Sequence, residues 1–392
     1  MSVSSVVPYA SFCESEHRDR LDRARDLLGA AGIDVCISMA PESLFYYGGY
    51  DSWVSVNSPQ ALVFAVAGGE PSIVLRDTDV LLAQESSWVK DLRVYRLMAD
   101  DVPALIARLA REKGLAGGKV GIETQSYAVP HALGEAIARA ISPAQIVDVT
   151  GVMGQPRLIK SPAELDYLRE AGRHAQAGLQ AARAALKPGM TEIELAAAVE
   201  HAMRASGSDY WSIPTELSSG ERTPGGHATP RERVIAPGDL VHLEFAGVAR
   251  RYHATAVHTM ACGVPSERAR QVYEVCRQSL AAGIAAVRPG VAVADIEEAS
   301  LVPVRRAGLE HAAVMRFGYG IGVAYPPIWL EPLQIARGSD QVMEPGMVFV
   351  LHGYLQLLEE GLGVIMGGTW HLGEDGLEMI AGSGDVPMEM LP

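Results

Sequence analysis

The apolar and polar positions of this chain repeat one pattern twice in its C-terminal half. A helical pattern at 188–207 recurs at 289–308, each copy beginning with Pro-Gly and ending at Gly. Each copy is followed by a second Pro-Gly and an almost wholly apolar strand, at 237–244 and at 345–352. Such a repeat predicts two related α+β halves packed about a pseudo-twofold axis.

Both apolar strands place an ionisable residue at the position seven residues after the proline. These residues are Glu244 in the first strand and His352 in the second. Burying such a group is costly unless it finds a partner. We therefore expect Glu244 and His352 to meet at the centre of the C-terminal half and to mark a site there.

The N-terminal part of the chain alternates helical and strand patterns. After an amphipathic segment that ends at Gly29, strand patterns at 35–38, 61–65, 73–75 and 120–122 accompany helical patterns near 102–113 and 130–140. This order predicts a smaller α/β layer domain. The region contains no phosphate-binding loop or dinucleotide-binding fingerprint.

Helix-start signals mark the boundary between the two parts. Ser161 suits an N-cap, and Glu164 stands at the reciprocal position of a capping box, so a long helix begins here. Thr191 and Glu194 repeat the device for the next helix. The sequence thus predicts an N-terminal domain at 1–155 and a C-terminal domain at 156–392.

Composition excludes several classes of protein. A chain of 392 residues favours two domains, and 48% apolar residues supply a large core. The net charge of −14 argues against nucleic acid as a partner, because no basic stretch stands ready to neutralise phosphates. No apolar run reaches the roughly 18 residues of a membrane span.

Cysteine usage and the first residues bear on the compartment. The start of the chain lacks the basic segment and apolar core of a secretory signal. The four cysteines have no metal-binding spacing and form no dense framework. We therefore expect reduced thiols in a cytoplasmic protein.

An ordered set of motifs resembles the creatinase/prolidase family (M24), whose catalytic domain has the pita-bread fold. The set comprises Leu-Ile-Lys-Ser-Pro-Ala-Glu-Leu at 158–165, Gly-Gly-His-Ala-Thr-Pro around His227, Pro-Gly-Asp-Leu-Val at 237–241 and Gly-Tyr-Gly-Ile-Gly-Val at 318–323. The resemblance implies an α+β pita-bread C-terminal domain with a pseudo-twofold repeat, preceded by a smaller α/β domain. It also implies a homodimer.

Metal-dependent members of this family hold two metal ions with two aspartates, a histidine and two glutamates. The resemblance aligns these positions with Glu244, Thr255, Tyr319, His352 and Gly367. Threonine, tyrosine and glycine cannot replace that set, because hard dinuclear sites need several carboxylate oxygens. We therefore expect neither the usual two-metal site nor another cofactor.

Within the family, the chain is most similar to metal-independent creatinase and ectoine hydrolase. The similarity to ectoine hydrolases rests on Arg-Arg-Tyr-His at 250–253, Tyr-Pro-Pro-Ile-Trp-Leu-Glu at 325–331 and Gly-Gly-Tyr-Asp-Ser-Trp at 48–53. The chain departs from them at His258, where an arginine is usual, and at 365–368, where acidic residues are replaced by Ile-Met-Gly-Gly.

Hydrolysis of an amidine or guanidine without metal needs a carboxylate facing the cation and a group that moves protons. Glu244 fits the first role, although a core carboxylate paired with arginine is the structural alternative. His227 is our first choice for proton transfer, since histidine exchanges protons near neutral pH. Glu331 and His352 are further catalytic candidates, with a loop carboxylate and a hydrogen-bonded core histidine as their alternatives.

Aromatic and basic residues complete the predicted binding site. Tyr319, Tyr325 and Trp329 are expected as pocket walls, because ring faces attract cations by about 0.5–2 kcal/mol. His253 is expected on the ligand-facing side of its strand. In the N-terminal domain, which in relatives leans over the partner subunit's site, the substrate-binding candidates are Tyr50, Trp53 and Arg76, with domain-interface packing as the alternative.

The sequence therefore predicts a metal-independent hydrolase of a C–N bond in a small zwitterionic amidine, guanidine or amide. One alternative is an altered metallohydrolase with a single ion held by His227, Glu244, His352 and His253. Others are an inactive member that binds a ligand or a partner protein, suggested by the missing acids near Gly367, and a lyase on the same scaffold.

Overall fold

The computed structural model describes residues 9–392, except for the side chain of Val56. The chain divides into two compact units, of which the first ends at Pro156 and the second spans Arg157–Pro392. Among the described helices, none has the length and apolar character needed to cross a bilayer.

The first unit is an α/β layer. Its helices and strands are α1 (Glu14–Ala30), β1 (Val35–Ser38), α2 (Pro41–Gly48), β2 (Ala61–Ala65), β3 (Ser72–Arg76), α3 (Val80–Ser86), β4 (Asp91–Tyr95), α4 (Val102–Glu112), β5 (Lys119–Ile122), α5 (His131–Ile141), β6 (Gln145–Asp148) and α6 (Thr150–Gly154). The strands form one mixed sheet in the order β4-β3-β2-β1-β5-β6. Apolar residues of α4 and α5 pack with this sheet in a single core.

The second unit combines long helices with an extended, largely antiparallel sheet. Its elements are α7 (Pro162–Ala185), α8 (Glu192–Ala205), β7 (Glu216–Ser219), β8 (Leu240–Ala249), β9 (Tyr252–Cys262), α9 (Glu267–Ala286), α10 (Val293–Arg306), β10 (Gly318–Tyr325), β11 (Ile328–Ile335), β12 (Val348–Leu357), β13 (Leu362–Gly373), β14 (Gly376–Gly382) and β15 (Met390–Leu391). The main strand order is β11-β10-β12-β13-β9-β8-β7, with β14 paired to β13 and β15 to β9.

The predicted helix starts are confirmed. The side chains of Ser161 and Thr191 each accept a hydrogen bond from the amide of the glutamate three residues on, and each glutamate carboxylate accepts one from the amide of the cap residue. Ser266 likewise caps α9 by accepting from the Ala269 amide. Because these caps satisfy amides that a helix leaves unpaired, local sequence suffices to fix where the helices begin.

The predicted duplication is also visible. The pair α7 and α8 packs with β8 and β9 around one apolar core, and the pair α9 and α10 packs with β12 and β13 around another. The halves join where β9 pairs with β13, with Gly367 opposite Val257. The glycine-rich segment at 318–323, one of the motifs of the family resemblance, lies within β10.

Candidate active site

A cavity of about 60 Å³ lies where strands of both halves approach each other in the second unit. Residues predicted from the sequence that line it are His227, Glu244, Tyr319, Trp329 and His352. The expected meeting of Glu244 and His352 is therefore found. Glu216 and Arg316, which sequence analysis did not single out, also line the cavity.

Glu244 is held by a chain of hydrogen bonds. The Tyr319 hydroxyl donates to Glu244 Oε1 at 3.0 Å, and Trp329 Nε1 donates to the same hydroxyl at 3.1 Å. Burial raises the pKa of Glu244, while the Tyr319 hydrogen bond and the charge of Arg316 oppose that rise. These two hydrogen bonds therefore fix the orientation of the buried Glu244 carboxylate.

The two histidines of the cavity differ in environment. His352 is buried on β12, and burial followed by the charge of Arg316 lowers its pKa to about 3, so its ring is neutral at neutral pH. His227 is exposed and has a positive φ of 56°, a conformation that is uncommon outside glycine. Because strained residues of this kind cluster at functional sites, the backbone supports the choice of His227 for proton transfer.

The loop that carries His227 is tied to α8 through Glu192, which is fully buried. Glu192 Oε1 accepts from the amide and the hydroxyl of Ser219, both at 2.8 Å. Glu192 Oε2 accepts from the amide of Arg231 at 2.9 Å and pairs with the Arg222 guanidinium. One carboxylate therefore anchors both ends of the loop.

Glu331 and His253, predicted as site residues, do not line this cavity. Glu331 is buried on β11 and pairs with Arg157, whose Nε lies 3.3 Å from Oε2. His253 Nδ1 donates to the Arg251 carbonyl at 2.8 Å, and its Nε2 accepts from the Ser212 amide at 3.1 Å. Burial lowers the pKa of His253 to about 3, so this geometry describes a neutral structural histidine.

The remaining predicted binding residues are Tyr325 and three residues of the first unit. Tyr325 does not line the cavity, and its ring centroid lies 5.8 Å from the guanidinium carbon of Arg251. Tyr50, Trp53 and Arg76 belong to the first unit, where the Tyr50 hydroxyl accepts from Gln60 Nε2 at 2.8 Å and Trp53 is 59% exposed. The substrate-binding roles of these three residues stay predictions.

Sequence reasoning missed Glu216 because its strand, β7, is only four residues long. The one available signal was an acidic residue between Thr215 and Leu217. Pairing with β8 reveals its significance, because Glu216 stands directly opposite Glu244.

Comparisons with known proteins agree with this architecture. Residues 166–374 match the family described as metallopeptidase family M24, and residues 20–159 match the creatinase/prolidase N-terminal domain. The chain is 29% identical to "Uncharacterized hydrolase/peptidase y4tM" of Sinorhizobium fredii, over 88% of this chain and 90% of that protein. It is 26% identical to the ectoine hydrolase of Halomonas elongata, over 86% of this chain and 88% of that protein.

A solved structure gives the same fold. The Xaa-Pro dipeptidase from Bacillus anthracis superposes with a TM-score of 0.83 over 96% of this chain and 99% of that chain, at 22% identity. At this level of identity the likeness concerns the fold alone.

Positions that hold metal ligands in metal-dependent relatives are close together in this structure, but several of them carry residues that are not metal ligands there. Tyr319 donates a hydrogen bond to Glu244, and Gly367 pairs with His352 in the register of β12 and β13. Burial and the charge of Glu244 raise the pKa of Tyr319 well above its usual value, so the phenol keeps its proton and is a poor ligand. Within residues 9–392, no group of three or more His, Cys, Asp or Glu side chains could hold a metal ion. The residues present do not fit a dinuclear centre.

The position of Gly367 has no room for a ligand side chain. A Cβ added there would lie 2.0 Å from the Leu351 carbonyl oxygen and 2.8 Å from the His352 Cα, and both are backbone atoms. A carboxylate at this position would therefore require the central strands to separate.

We predict that Gly367→Ala destabilises the second unit by at least about 2 kcal/mol, because the clash is with backbone that cannot move aside. Gly373→Ala is the matched control on the same strand, where a Cβ would make ordinary contacts at 3.5 Å. Urea unfolding midpoints measure both variants. Equal midpoints for the two would contradict the close approach seen at Gly367.

We also predict that Glu192→Gln loosens the His227 loop, because the amide cannot accept every hydrogen bond that the carboxylate accepts. Hydrogen exchange should accelerate at the amides of Ser219 and Arg231, which donate to Glu192. Glu200→Gln, two turns further along the same helix, is the control. Unchanged exchange at both amides in Glu192→Gln would show that the loop is held by other contacts.

Proposed function

The chain belongs to metallopeptidase family M24, and we propose that it hydrolyses a C–N bond without a metal ion. The proposed substrate is a small zwitterionic amidine, guanidine or amide. One observation carries the proposal. Thr255, Tyr319 and Gly367 stand where metal-dependent relatives have metal ligands, whereas Glu244 and His227 line the cavity.

The charges around the cavity suit a zwitterion. Glu216 and Glu244 offer negative charge to a cationic group, and the rings of Tyr319 and Trp329 are walls that favour cations. Arg316 supplies the opposite charge and can bind a carboxylate in a bidentate manner.

The residues can divide the reaction between them. Water adds to the electrophilic carbon of the amidinium while His227 accepts its proton, which gives a tetrahedral intermediate. His227 then donates the proton to the leaving nitrogen as the C–N bond breaks. Glu244 accepts hydrogen bonds from the substrate nitrogens and holds the amidinium carbon in position for the attack of water.

Sequence similarity to ectoine hydrolase supports this class of substrate, since ectoine hydrolase shares most of its length with this chain. Peptidases are also among the relatives, including an Xaa-Pro dipeptidase of Lactobacillus delbrueckii at 26% identity. The side chains that line the cavity favour a non-peptidase activity. They do not fit the dinuclear metal centre that a metallopeptidase of this family would need.

We predict that Glu244→Gln and His227→Ala each abolish turnover of ectoine or a related amidine while the protein still folds. Glutamine keeps the shape of Glu244 but removes its charge, so kcat/KM falls. Alanine at 227 removes proton transfer, a contribution of about 10²- to 10⁴-fold. The exposed residues Glu359 and His201 provide matched controls as Glu359→Gln and His201→Ala.

These assays should be run on protein prepared without added metal and in the presence of a chelator. Activity that disappears on chelation would overturn the metal-independent proposal. Inactivity of His352→Ala together with near wild-type rates in both other variants would show that the residue roles are wrong. No turnover by the wild-type protein over a panel of ectoine, creatine and small amidines would favour a ligand-binding function.

We propose that the protein is a homodimer, as the resemblance to creatinase-type enzymes implies. The exposed side chain of Trp53 is an aromatic contact available to a partner. We predict a mass of two chains by light scattering at micromolar concentration, and Trp53→Ala should shift the protein toward monomer. A monomeric wild-type protein would contradict the proposal.

A further inference from the structure

Two carboxylates face each other across β7 and β8 in the cavity. Glu216 and Glu244 are direct partners in the antiparallel register, and each is only 8% exposed. Residues directly opposite in such a pair have Cβ atoms about 4.5–5.5 Å apart. Both side chains line the same cavity, so their charges are concentrated at one wall of it.

The two carboxylates differ in the partners that the protein gives them. Glu244 accepts a hydrogen bond from Tyr319. Within residues 9–392, the carboxylate of Glu216 has no hydrogen-bond or ion-pair partner. A buried acid without a partner is costly, so its presence in a cavity calls for a ligand that supplies the missing donor.

The nearby positive charge does not satisfy this need. Arg316 lines the cavity, but no carboxylate of the described part of the chain lies within 4.0 Å of it, and its Nε is buried without a hydrogen bond. Its guanidinium carbon lies 5.2 Å from the Tyr319 ring centroid. The cavity therefore has an unpaired acid at one wall and an unpaired guanidinium at another.

We propose that Glu216 and Glu244 together bind the planar cationic end of the ligand, each carboxylate accepting hydrogen bonds from a different nitrogen of an amidinium or guanidinium. This inference rests on the proposed function for the class of ligand, but it assigns a binding residue, Glu216, that the proposed reaction does not require. A neutral amide of the same shape lacks the charge to neutralise two carboxylates. Glu216 is thereby the residue that selects charged over neutral ligands.

The proposal has a consequence for pH dependence. Burial raises the pKa of Glu216, and the charge of Glu244 raises it further. Like charges this close are not both ionised in the empty site, so binding a cation expels a proton from the pair. Affinity for the cation should then rise about tenfold per pH unit below the upper titration step and level off above it.

Other ionisable groups surround the pair. Arg316, Tyr319, His352 and the exposed His227 line the same cavity, and Tyr354, whose pKa is raised by burial, lies close enough for both carboxylates to raise it further. Of these, His227 is the side chain to which the proposed reaction assigns proton transfer. A pH dependence that comes from His227 would survive the loss of Glu216.

The test is calorimetric titration of the full-length protein with acetamidinium, using neutral acetamide as the matched probe, from pH 6 to pH 8. Wild-type protein should bind acetamidinium at least about tenfold more tightly than acetamide, with affinity that increases with pH. Glu216→Gln should lose at least about tenfold in acetamidinium affinity and lose the pH dependence. The exposed Glu359→Gln variant should behave as wild type. Unchanged affinity in Glu216→Gln, or a pH dependence that persists in it, would overturn the proposal.

A stability measurement guards against misfolding of the variant. A glutamate whose folded-state pKa is raised destabilises the fold as pH rises above about 4.3, its value in the unfolded chain. Glu216→Gln should therefore melt at or above the wild-type temperature, with a gain that is larger at pH 8 than at pH 5. A lower melting temperature at both pH values would mean that Glu216 has a structural partner, which contradicts the proposal.

The outcomes separate this inference from the proposed function. Selective binding of acetamidinium without turnover of any substrate would support the carboxylate pair and reject the hydrolase. Turnover by Glu216→Gln at the wild-type rate and KM would support the hydrolase and reject the pair.

Discussion

The second unit depends on a backbone junction that only glycine permits. At Gly367 and Gly368 an added Cβ would lie 2.0 Å and 2.1 Å from the carbonyl oxygens of Leu351 and Ala381. Leu351 and Ala381 lie on β12 and β14, in the same half as β13, and the other neighbour of these two glycines is β9, through which the two halves join. Glu244 lies on β8, the partner of β9, and His352 lies on β12, the partner of β13, so this order of strands brings the two side chains to one cavity.

The close packing at Gly367 also concerns one of the metal-ligand positions that the family resemblance implies. The resemblance to metal-dependent relatives puts a metal-ligating glutamate at the position of Gly367. Here close packing has taken the space that such a side chain would occupy. The negative charge of the cavity instead lies on Glu244 and Glu216, on adjacent strands of the first half. Two buried carboxylates need a compensating cation, and the ligand can supply the charge that the protein does not.

Local sequence sufficed for those features that depend on neighbouring residues. The capping boxes at Ser161 and Thr191 formed as predicted, because each is completed within four residues. The repeated strand pattern also placed Glu244 and His352 correctly in one cavity. Glu331 and His253 could not be interpreted in this way, because their partners Arg157 and Ser212 are 174 and 41 residues distant. A side chain's role in a buried network depends on such distant contacts, which no local pattern reveals.

The two histidines that line the cavity differ in burial. His352 is held neutral by its surroundings, so it cannot donate a proton at neutral pH, whereas His227 remains in contact with solvent on a loop fixed by Glu192. A group that must gain and lose a proton in each cycle needs access to solvent or to the substrate, and it also needs a fixed position. His227 has both. Its side chain is exposed, its backbone has a positive φ, and the buried carboxylate of Glu192 anchors both ends of its loop. The proposed roles of His227 in proton transfer and of Glu244 in binding a cation thus fall to residues in different environments, one exposed to solvent and one buried.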